Sequence, residues 1–359
     1  MNHYPLTPAQ AEEFGKEIDA IRERIKATLG EEDAKYIRSI FKTVRVTEIL
    51  GRGLLFLGWF PPAWLAGTAL LSVSKIIDNM ELGHNVMHGQ FDWMNDRYLN
   101  TNFEWDNACP GDEWRHSHNY MHHTFTNIVG KDRDVGYGIS RLFPEQEWKP
   151  QHLLQPGYIF LLAMLFEWGV ALHDLELDRV VEGKTTFASI KSKAKAVFKK
   201  GRKQILKDYV AFPLLAGPSF IPVLTGNVTA NIVRNFWAFA IIFCGHFTDD
   251  ANVFPESVLE NETKGQWYVR QLLGSCNIDG GPLFHIFTGN LSHQIEHHMF
   301  PDIPANRYAA MAEEVSALCK KYELPYNTGS FSKQFGGVVK RIFKYAIPTP
   351  QASASTALA

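Results

Sequence analysis

The chain has 359 residues, of which 45% are hydrophobic and 21% are charged, and its formal net charge is −2 at pH 7. These values suit a soluble enzyme and a membrane protein equally, so only the local distribution of residues can separate the two classes. They exclude a strongly basic nucleic-acid-binding protein, and no nucleic-acid partner is expected.

The N-terminal segment is predicted to contain an amphipathic helix. Thr7-Pro8 is a start signal, apolar residues follow at helical spacing, and Gly30 is a stop signal. The apolar face is formed by Phe14, Ile18, Ile21, Ile25 and Leu29. We expect residues 1–39 to form a cytosolic segment that lies on the membrane or on the rest of the cytosolic part.

The first apolar region, residues 40–80, is predicted to form a transmembrane hairpin. Pro61-Pro62 interrupts it, and because a straight helix does not accept two internal prolines we expect the turn there. The second leg runs toward Glu81 and would carry the histidines that follow it just beyond the bilayer.

A second hairpin is predicted over residues 209–248. The 40 residues from Tyr209 to Thr248 contain one charge, Arg234. At 1.5 Å per residue this run is about 60 Å long, which is enough for two bilayer crossings. We expect its turn near Thr225-Gly226-Asn227, where turn residues replace helix formers.

A third apolar stretch, Tyr158 to Leu172, has 15 residues and contains Glu167. It is short for a spanning helix, so we expect an interfacial or re-entrant helix. The following run from Lys191 to Lys207 has eight cations and no acid, and the positive-inside rule therefore places it in the cytoplasm.

The predicted fold class is an all-α integral membrane protein with about four transmembrane helices in two hairpins, multi-pass in the inner (cell) membrane. Residues 81–208 and 249–347 would form a cytosolic helical cap, which includes a helix from Arg307 to Lys321, and residues 348–359 a disordered tail. The four cysteines lack CxxC spacing, so no disulfide is expected.

Nine of the 14 histidines lie in three short windows. Histidines four residues apart project from one face of a helix, whereas adjacent ones point about 100° apart and can serve two metals. A zinc site takes three or four protein ligands, so this many imidazoles favours a dinuclear centre, and imidazole suits iron. The windows are His84 and His88; His116, His118, His122 and His123; and His293, His297 and His298.

The strings HNVMH from His84, HSHNYMHH from His116 and HQIEHHMFP from His293 resemble the three histidine boxes of the membrane-bound fatty acid desaturases. The resemblance covers nearly all of the chain between Ile40 and Tyr326, and it is greatest to bacterial stearoyl-CoA-type delta-9 desaturases without a fused cytochrome b5. It implies a helical transmembrane bundle with a cytosolic cap that holds two irons. It also implies O2 as cosubstrate and a cis double bond made in a long acyl chain, carried as acyl-CoA or as an acyl-lipid.

The resemblance also implies the ligands. Two positions stay open: the third box can use His293 or Gln294, and His116, outside the HxxxHH spacing, can be a ligand or a hydrogen-bond partner of one. His246, at the end of the last transmembrane helix, matches a further family ligand, although a histidine at a helix end can equally interact with the helix dipole. The remaining implied ligands are His84, His88, His118, His122, His123, His297 and His298.

Three further expectations concern the electron donor, the coenzyme A head group and the residues behind the metal ligands. The chain has no GxGxxG, Walker A or CxxCH motif, so electrons must come from a separate ferredoxin, cytochrome b5-like protein or flavin reductase. Part of the basic run is expected to bind the coenzyme A phosphates, namely Lys199, Lys200, Arg202 and Lys203. Second-shell carboxylates are expected to orient the imidazoles, for example Glu81, Asp112, Glu113 or Glu296.

Three alternatives remain. Glu81 with His84, and Glu113 with His116, form ExxH motifs of the soluble ferritin-like di-iron proteins, but that reading leaves the long apolar run and the third window unused. A di-iron hydroxylase of lipids or alkyl chains would carry the same boxes. A membrane metal transporter would instead place its ligands within the bilayer.

Overall fold

The computed structural model describes residues 4–181 and 183–350 and is mostly helical. The α-helices are, in chain order, α1 (Pro8–Lys26), α2 (Glu31–Leu55), α3 (Pro61–Ile77), α4 (Asn85–Met87), α5 (Gly111–Trp114), α6 (His123–Phe125), α7 (Gln155–Met164), α8 (Phe166–His173), α9 (Leu177–Val181), α10 (Phe187–Ile205), α11 (Phe212–Leu215), α12 (Phe220–His246), α13 (Lys264–Leu273), α14 (Pro282–Phe287), α15 (Gln294–Met299), α16 (Tyr308–Lys321) and α17 (Phe331–Lys344). Two short parallel strands, β1 (Asn277–Asp279) and β2 (Thr328–Ser330), pair with each other.

Three helices contain a π-helical segment, in which the backbone hydrogen bonds skip one more residue than in an α-helix. The first continues α3 to the start of α4, the second joins α5 to α6, and the third joins α10 to α11. Short 3₁₀ turns connect several of the other helices. The π segments are Asp78–His84, Arg115–His122 and Leu206–Ala211, and the 3₁₀ turns are Asp92–Met94, Val135–Gly138, Pro150–Leu154, Gly217–Ser219, Glu256–Glu260, Leu291–His293 and Ala305–Arg307.

Helix α1 begins where the sequence predicts. The Thr7 hydroxyl accepts the Gln10 backbone N–H at 3.3 Å, and the Gln10 side chain accepts the Thr7 N–H at 3.0 Å, which is a capping box. Phe14 and Ile18 are fully buried against α13 and α16. The amphipathic helix therefore packs on the neighbouring helices through its apolar face.

Helices α2 and α3 form the first predicted hairpin. The turn falls at residues 56–60, and Pro61 is the first residue of α3, where its fixed φ suits a helix start. A Cβ on Gly51 would lie 2.9 Å from the Gly67 carbonyl oxygen, so these glycines let the two backbones approach closely. Helix α2 begins at Glu31 rather than near Ile40.

The second hairpin has its turn at a different place from the predicted one. Gly217, with φ +55°, and Pro218 form the turn before α12. Gly226 and Asn227 instead lie inside α12. A Cβ on Gly226 would lie 2.5 Å from Leu55, and the Asn227 amide donates to the Asp208 carbonyl at 2.6 Å. The prediction was wrong because Gly and Asn here serve contacts between helices and not a turn.

Among the described residues, Gly217–His246 is the one helix long and apolar enough to cross a membrane. Helices α7 and α8 pass the same test only together, and they are bent by 102°, so the stretch expected to be re-entrant is indeed not a straight helix. Mostly buried core helices of soluble proteins can be equally long and apolar.

A network of buried charges joins the helices around α3. Lys75 Nζ lies 2.7 Å from Asp208 Oδ2, and Arg52 lies 3.1 Å from Asp208 Oδ1. On α12, Arg234 contacts Glu167 at 2.6 Å. Each of these ions has an opposite charge within reach, as buried ions require.

The four cysteines are buried and free, in agreement with the sequence. The predicted helix in the last third of the chain is α16, which begins at Tyr308. Of the predicted tail, residues 351–359 lie outside the described residues, and the Thr349 hydroxyl accepts a hydrogen bond from Arg141 at 2.7 Å.

Candidate metal centre

Four segments of the chain bring eight imidazoles to one place. The first window lies on the π segment that follows α3 and at the end of α4. The second window lies on the π segment between α5 and α6 and on α6. The C-terminus of α12 contributes one histidine, and α15 contributes the last two. Two of the windows thus lie on π-helical backbone, a distortion that is frequent at functional sites. The eight residues are His84, His88, His118, His122, His123, His246, His297 and His298.

Within the described residues the imidazoles form two main groups. In each group the ring nitrogens that could bind a metal lie within 4.8 Å of one another. The first group is His84, His88, His118 and His297, and the second is His122, His246 and His298. His123 lies between them and forms an overlapping group with His297 and His298. His297 and His298 therefore belong to different main groups, and His122 belongs to the second group while His123 lies outside it, in line with the different directions of adjacent residues on a helix.

The distances between facing nitrogens suit metal coordination. Two ligands that each lie about 2.1 Å from one ion, at a right angle, are about 3 Å apart. The Nε2 atoms of His84 and His118 are 3.2 Å apart, and those of His246 and His298 are 3.0 Å apart. Both groups therefore have nitrogens at the spacing that an ion needs.

Several buried polar atoms of the cluster have no hydrogen-bond partner among the described residues. They are His88 Nε2, His297 Nε2, both ring nitrogens of His123, and Gln294 Oε1. Each such atom costs about 1–3 kcal/mol when left unpaired, so a site with this many is best explained as one that binds ions. The residues present therefore fit a two-metal centre.

Burial also keeps most of the rings in the form that binds metals. It lowers the pKa of His84 to about 4 and holds the pKa of His88, His118 and His297 well below the ordinary histidine value. A metal ligand must be a neutral imidazole, so these rings need lose no proton to bind an ion near neutral pH.

The outward-facing Nδ1 atoms are held by hydrogen bonds, which fixes the inward direction of Nε2. Protein oxygens hold the rings of five of the histidines. The pairs are His84 with Asn85 (3.1 Å), His122 with Asp132 (3.0 Å), His246 with the Gly274 carbonyl (3.1 Å), His297 with Tyr308 (3.3 Å) and His298 with Gln271 (3.0 Å).

Among the described residues, His122 lies closer to carboxylates than any other imidazole of the cluster, and His118 follows at 4.0 Å from Asp134. Burial alone would lower its pKa, but Asp132 and Asp134 outweigh burial and raise it. Asp132 is itself fixed, because it accepts the backbone N–H of Asn127 at 2.8 Å. Together with Asp134, which contacts His122 at 3.7 Å and accepts from His173 at 3.1 Å, it makes His122 a more basic ligand.

The carboxylates named from the sequence do not play this role. Glu81 accepts hydrogen bonds from Tyr36 and Asn290, and Glu296 accepts from Asn277 and Tyr326. Asp112 pairs with Arg115, and Glu113 lies 3.7 Å from Lys193. Asp132 and Asp134 were not predicted as partners of the histidines. In the sequence they are marked only as two acids shortly after the second box.

The two candidates of the third box, Gln294 and His293, occupy different positions relative to the cluster. Gln294 is buried, and its Nε2 lies 2.8 Å from His246 Nε2. His293 packs against His285, with ring centroids 4.5 Å apart and the ring planes tilted by 34°, and belongs to none of the groups. Helix α15 begins at Gln294, and His293 before it has non-helical φ −105° and ψ 55°. The four-residue spacing to His297 therefore does not put both rings on one face, contrary to the prediction.

His116 also lies outside the cluster. It is exposed and stacks on Tyr120, with ring centroids 5.9 Å apart. Although His116 belongs to the same window as His118, its side chain is exposed on the outer side of the π segment.

Replacing Gln294 and His293 separately by alanine tests the third box. We expect Gln294→Ala to reduce product formation by at least about tenfold, because the residue contacts a ring of the second group. His293→Ala should keep more than half of the activity. Turnover and iron per chain, measured on both purified variants, decide the matter, and the reverse order of effects would assign the ligand position to His293.

A cavity of about 810 Å³, counting its open mouth, leads from the imidazoles into the protein. His84, His118, His122, His246 and Gln294 line its inner end. Apolar side chains form most of its wall surface, among them Met80, Tyr137, Phe166, Val170, Ala238 and Ile242. Buried polar residues also line it, namely Asn79, Asn107, Glu167 and Asp174.

Helices that hold converging histidines beside a largely apolar cavity are typical of metal-dependent enzymes that act on an apolar chain. Residues 58–330 match the fatty acid desaturase family. The chain belongs to the fatty acid desaturase family and is an oxidoreductase, which confirms the resemblance of its three histidine strings. This membership excludes the soluble ferritin-like alternative.

Relatives are found in bacteria and eukaryotes. An NADPH-dependent stearoyl-CoA 9-desaturase of Mycobacterium tuberculosis is 44% identical over 96% of this chain and 82% of its own length. A sn-1 linoleoyl-lipid 6-desaturase of Synechocystis is 25% identical over 74% of this chain and 75% of its own length. An acyl-lipid (7-3)-desaturase of Rebecca salina is 29% identical over 57% of this chain and 46% of its own length.

Proposed function

We propose that this chain inserts a cis double bond at position 9 of a long saturated acyl-CoA, using two irons, O2 and electrons from a separate donor. The observation that carries the proposal is the largely apolar cavity that ends at both imidazole groups. The similarity to a stearoyl-CoA 9-desaturase over 96% of the chain supports the substrate and the position.

The first imidazole group would hold one proposed iron, and the second group would hold the other. His123 lies between the two groups, and Gln294 lies beside His246. When bound, iron activates dioxygen, which supplies an oxidant strong enough for an unactivated methylene. The protein's own contribution is to hold the chain still beside the cluster and to keep water out. The buried walls of the cavity and the fixed Nδ1 atoms of the histidines serve these purposes.

The depth of the cavity fits a double bond in the middle of the chain. Ala238 is the residue on α12 farthest from His246 that lines it, and eight residues of helix correspond to about 12 Å. An extended chain advances about 1.2 Å per bond, as the extended polypeptide backbone does. About ten bonds therefore fit below the cluster, which matches the methyl-side half of a stearoyl chain.

Ala238→Phe tests this depth. The added ring would fill the cavity below Ile242, so we expect conversion of stearoyl-CoA to fall at least about tenfold while shorter saturated chains remain substrates. Val233→Phe, which introduces the same side chain at an exposed site of α12, is the control. Product yields over a series of chain lengths give the answer, and an unchanged chain-length preference would remove Ala238 from the cavity floor.

The coenzyme A head group is proposed to bind beside the cavity mouth and not on α10. A surface groove there is lined by Lys131, Arg133, Arg179 and Lys184, and Arg133 and Arg179 also line a smaller pocket that reaches His173 at the cavity wall. Cations in this position suit a soluble polyphosphate head group, which favours acyl-CoA over an acyl-lipid.

The four basic residues named from the sequence lie elsewhere. Lys200 pairs with Glu104 and donates to the Trp105 carbonyl at 2.9 Å. Lys199, Arg202 and Lys203 are exposed on α10 and line none of these cavities.

The membrane placement is part of the proposal: one hairpin is α2 with α3, and the other is the helical run that ends in α11 with α12, with the metal-centre cap on the cytoplasmic face. Because the second hairpin turns at Gly217, its first leg must begin before residue 209. The placement is supported by apolar side chains exposed at the far end of the α2–α3 hairpin, among them Leu57, Trp59 and Phe60, each about two-thirds exposed. In water such a patch would be costly, whereas lipid accepts it. The inner (cell) membrane is the proposed location.

Expression of the chain in a host of defined lipid composition, with a reductase system, tests the function. Mass spectrometry that locates double bonds should find new olefins at position 9 of saturated chains. Hydroxylated chains without olefin would favour the hydroxylase alternative and contradict the proposal. An olefin at another position would keep the desaturase and overturn only its regiochemistry.

A further inference from the structure

Helix α10 carries basic residues on two faces that differ in their surroundings. The inward cations recur every seven residues, and acids of neighbouring segments neutralise each of them. Lys193 lies 3.2 Å from Glu176, Lys200 pairs with Glu104, and Lys207 pairs with Asp106. These cations hold α10 against the rest of the protein.

The outward cations form a separate set, the outer stripe, which consists of Lys191, Lys195, Lys199, Arg202 and Lys203. All five are exposed, and no ion pair or hydrogen bond of their side chains is found within residues 4–181 and 183–350. Five cations without an acid between them repel one another in water. The stripe is therefore not explained by the stability of the fold.

Exposed apolar side chains lie at both ends of the stripe and also within it, where Phe198 falls between Lys195 and Lys199. Phe187 and Phe198 are 72% and 71% exposed, and Leu214 and Leu215, beyond the π segment, are 64% and 72% exposed. One helix surface thus passes from cations and aromatic rings to bare apolar side chains. This order is that of a helix which leaves a membrane surface and enters the hydrocarbon.

We propose that the outer stripe binds the phosphate groups of anionic phospholipids in the cytoplasmic leaflet. Negative lipids attract basic segments next to a membrane span. The ammonium group of lysine and the guanidinium group of arginine can donate hydrogen bonds to the phosphate oxygens. The inference rests on the membrane placement proposed above, but it requires no turnover.

Lipid selectivity in vesicles tests the stripe. The full chain is placed in phosphatidylcholine vesicles that contain spin-labelled phosphatidylglycerol or spin-labelled phosphatidylcholine, and the motionally restricted fraction of each label is measured. The wild type should restrict phosphatidylglycerol several-fold more strongly. The variant Lys195→Gln/Lys199→Gln/Arg202→Gln/Lys203→Gln should lose most of this preference.

Two further variants separate the stripe from net charge and from misfolding. Lys16→Gln/Lys26→Gln/Lys320→Gln/Lys321→Gln removes the same number of charges from exposed sites of α1 and α16 and should keep the preference. Lys191→Arg/Lys195→Arg/Lys199→Arg/Lys203→Arg keeps the charge and should keep it as well. An equal loss in the stripe variant and in the α1 and α16 variant, or no loss in either, overturns the proposal.

Coenzyme A is the other phosphate-bearing ligand that the stripe could hold. Free coenzyme A added to the wild-type vesicles should leave the phosphatidylglycerol preference unchanged. If it abolishes the preference, the stripe is a coenzyme A site and the lipid proposal fails. Because no product is measured, these outcomes are independent of whether position 9 is desaturated.

Discussion

Replacing His122 with alanine is expected to abolish olefin formation and to lower the iron content of the purified protein. His122 belongs to the second imidazole group, and Asp132 holds it at 3.0 Å. Loss of a residue behind a ligand already costs 10- to 100-fold, so loss of the ring itself should reduce turnover by more than about 100-fold. Product analysis and metal analysis of the same preparation measure both effects.

The matched control is His116→Ala, from the same window. His116 is exposed and stacks only on Tyr120 among the rings of the described chain, so its removal should leave iron and turnover within about twofold of the wild type. Full activity in the His122 variant, or equal losses in both variants, would contradict the division of the second window into an inward and an outward part.

Lys75→Met is expected to lower the free energy of unfolding strongly, because Lys75 belongs to the buried charge network of the helices. Lys75 contacts Asp208 at 2.7 Å and Asp106 at 3.4 Å. Its removal leaves the buried Asp208 and the partly buried Asp106 with fewer opposite charges. Removing one partner of a buried ion pair costs about 3–5 kcal/mol. Methionine keeps the length of the side chain, so the loss reports the charge and not a cavity.

Thermal inactivation in detergent micelles measures this effect, with Lys16→Met as control because Lys16 pairs with Glu13 at the surface. The control should change stability by less than about 0.5 kcal/mol. The double variant Lys75→Met/Asp208→Asn should recover part of the loss, since it removes both charges together. If Lys75→Met is as stable as the control, the network does not hold the helices.

The histidine windows could be predicted from the sequence because their spacing is local. Ligands on one helical segment, such as His118 and His122, are fixed by residues a turn apart, and the doublets necessarily point in different directions. The placement of His297 and His298 in different groups follows from this geometry. The start of α1 at a capping box and the turn before Pro61 are local signals of the same kind.

The features that the sequence did not predict depend on turns, on helix ends and on contacts between distant segments. Asp132 supports His122 only because a tight turn brings it back onto the π-helix. Gly226 has the composition of a turn, but its role is set by Leu55, which is far away in the chain. His293 has the right spacing to His297, yet the helix starts one residue after it. No periodicity carries this information.

The iron content of the purified wild-type chain is the most direct measurement of the central claim, that the three windows and His246 together form a two-iron centre. Iron and protein determined on the same sample should give about two irons per chain. At most one metal per chain, or zinc in place of iron at full activity, would contradict it.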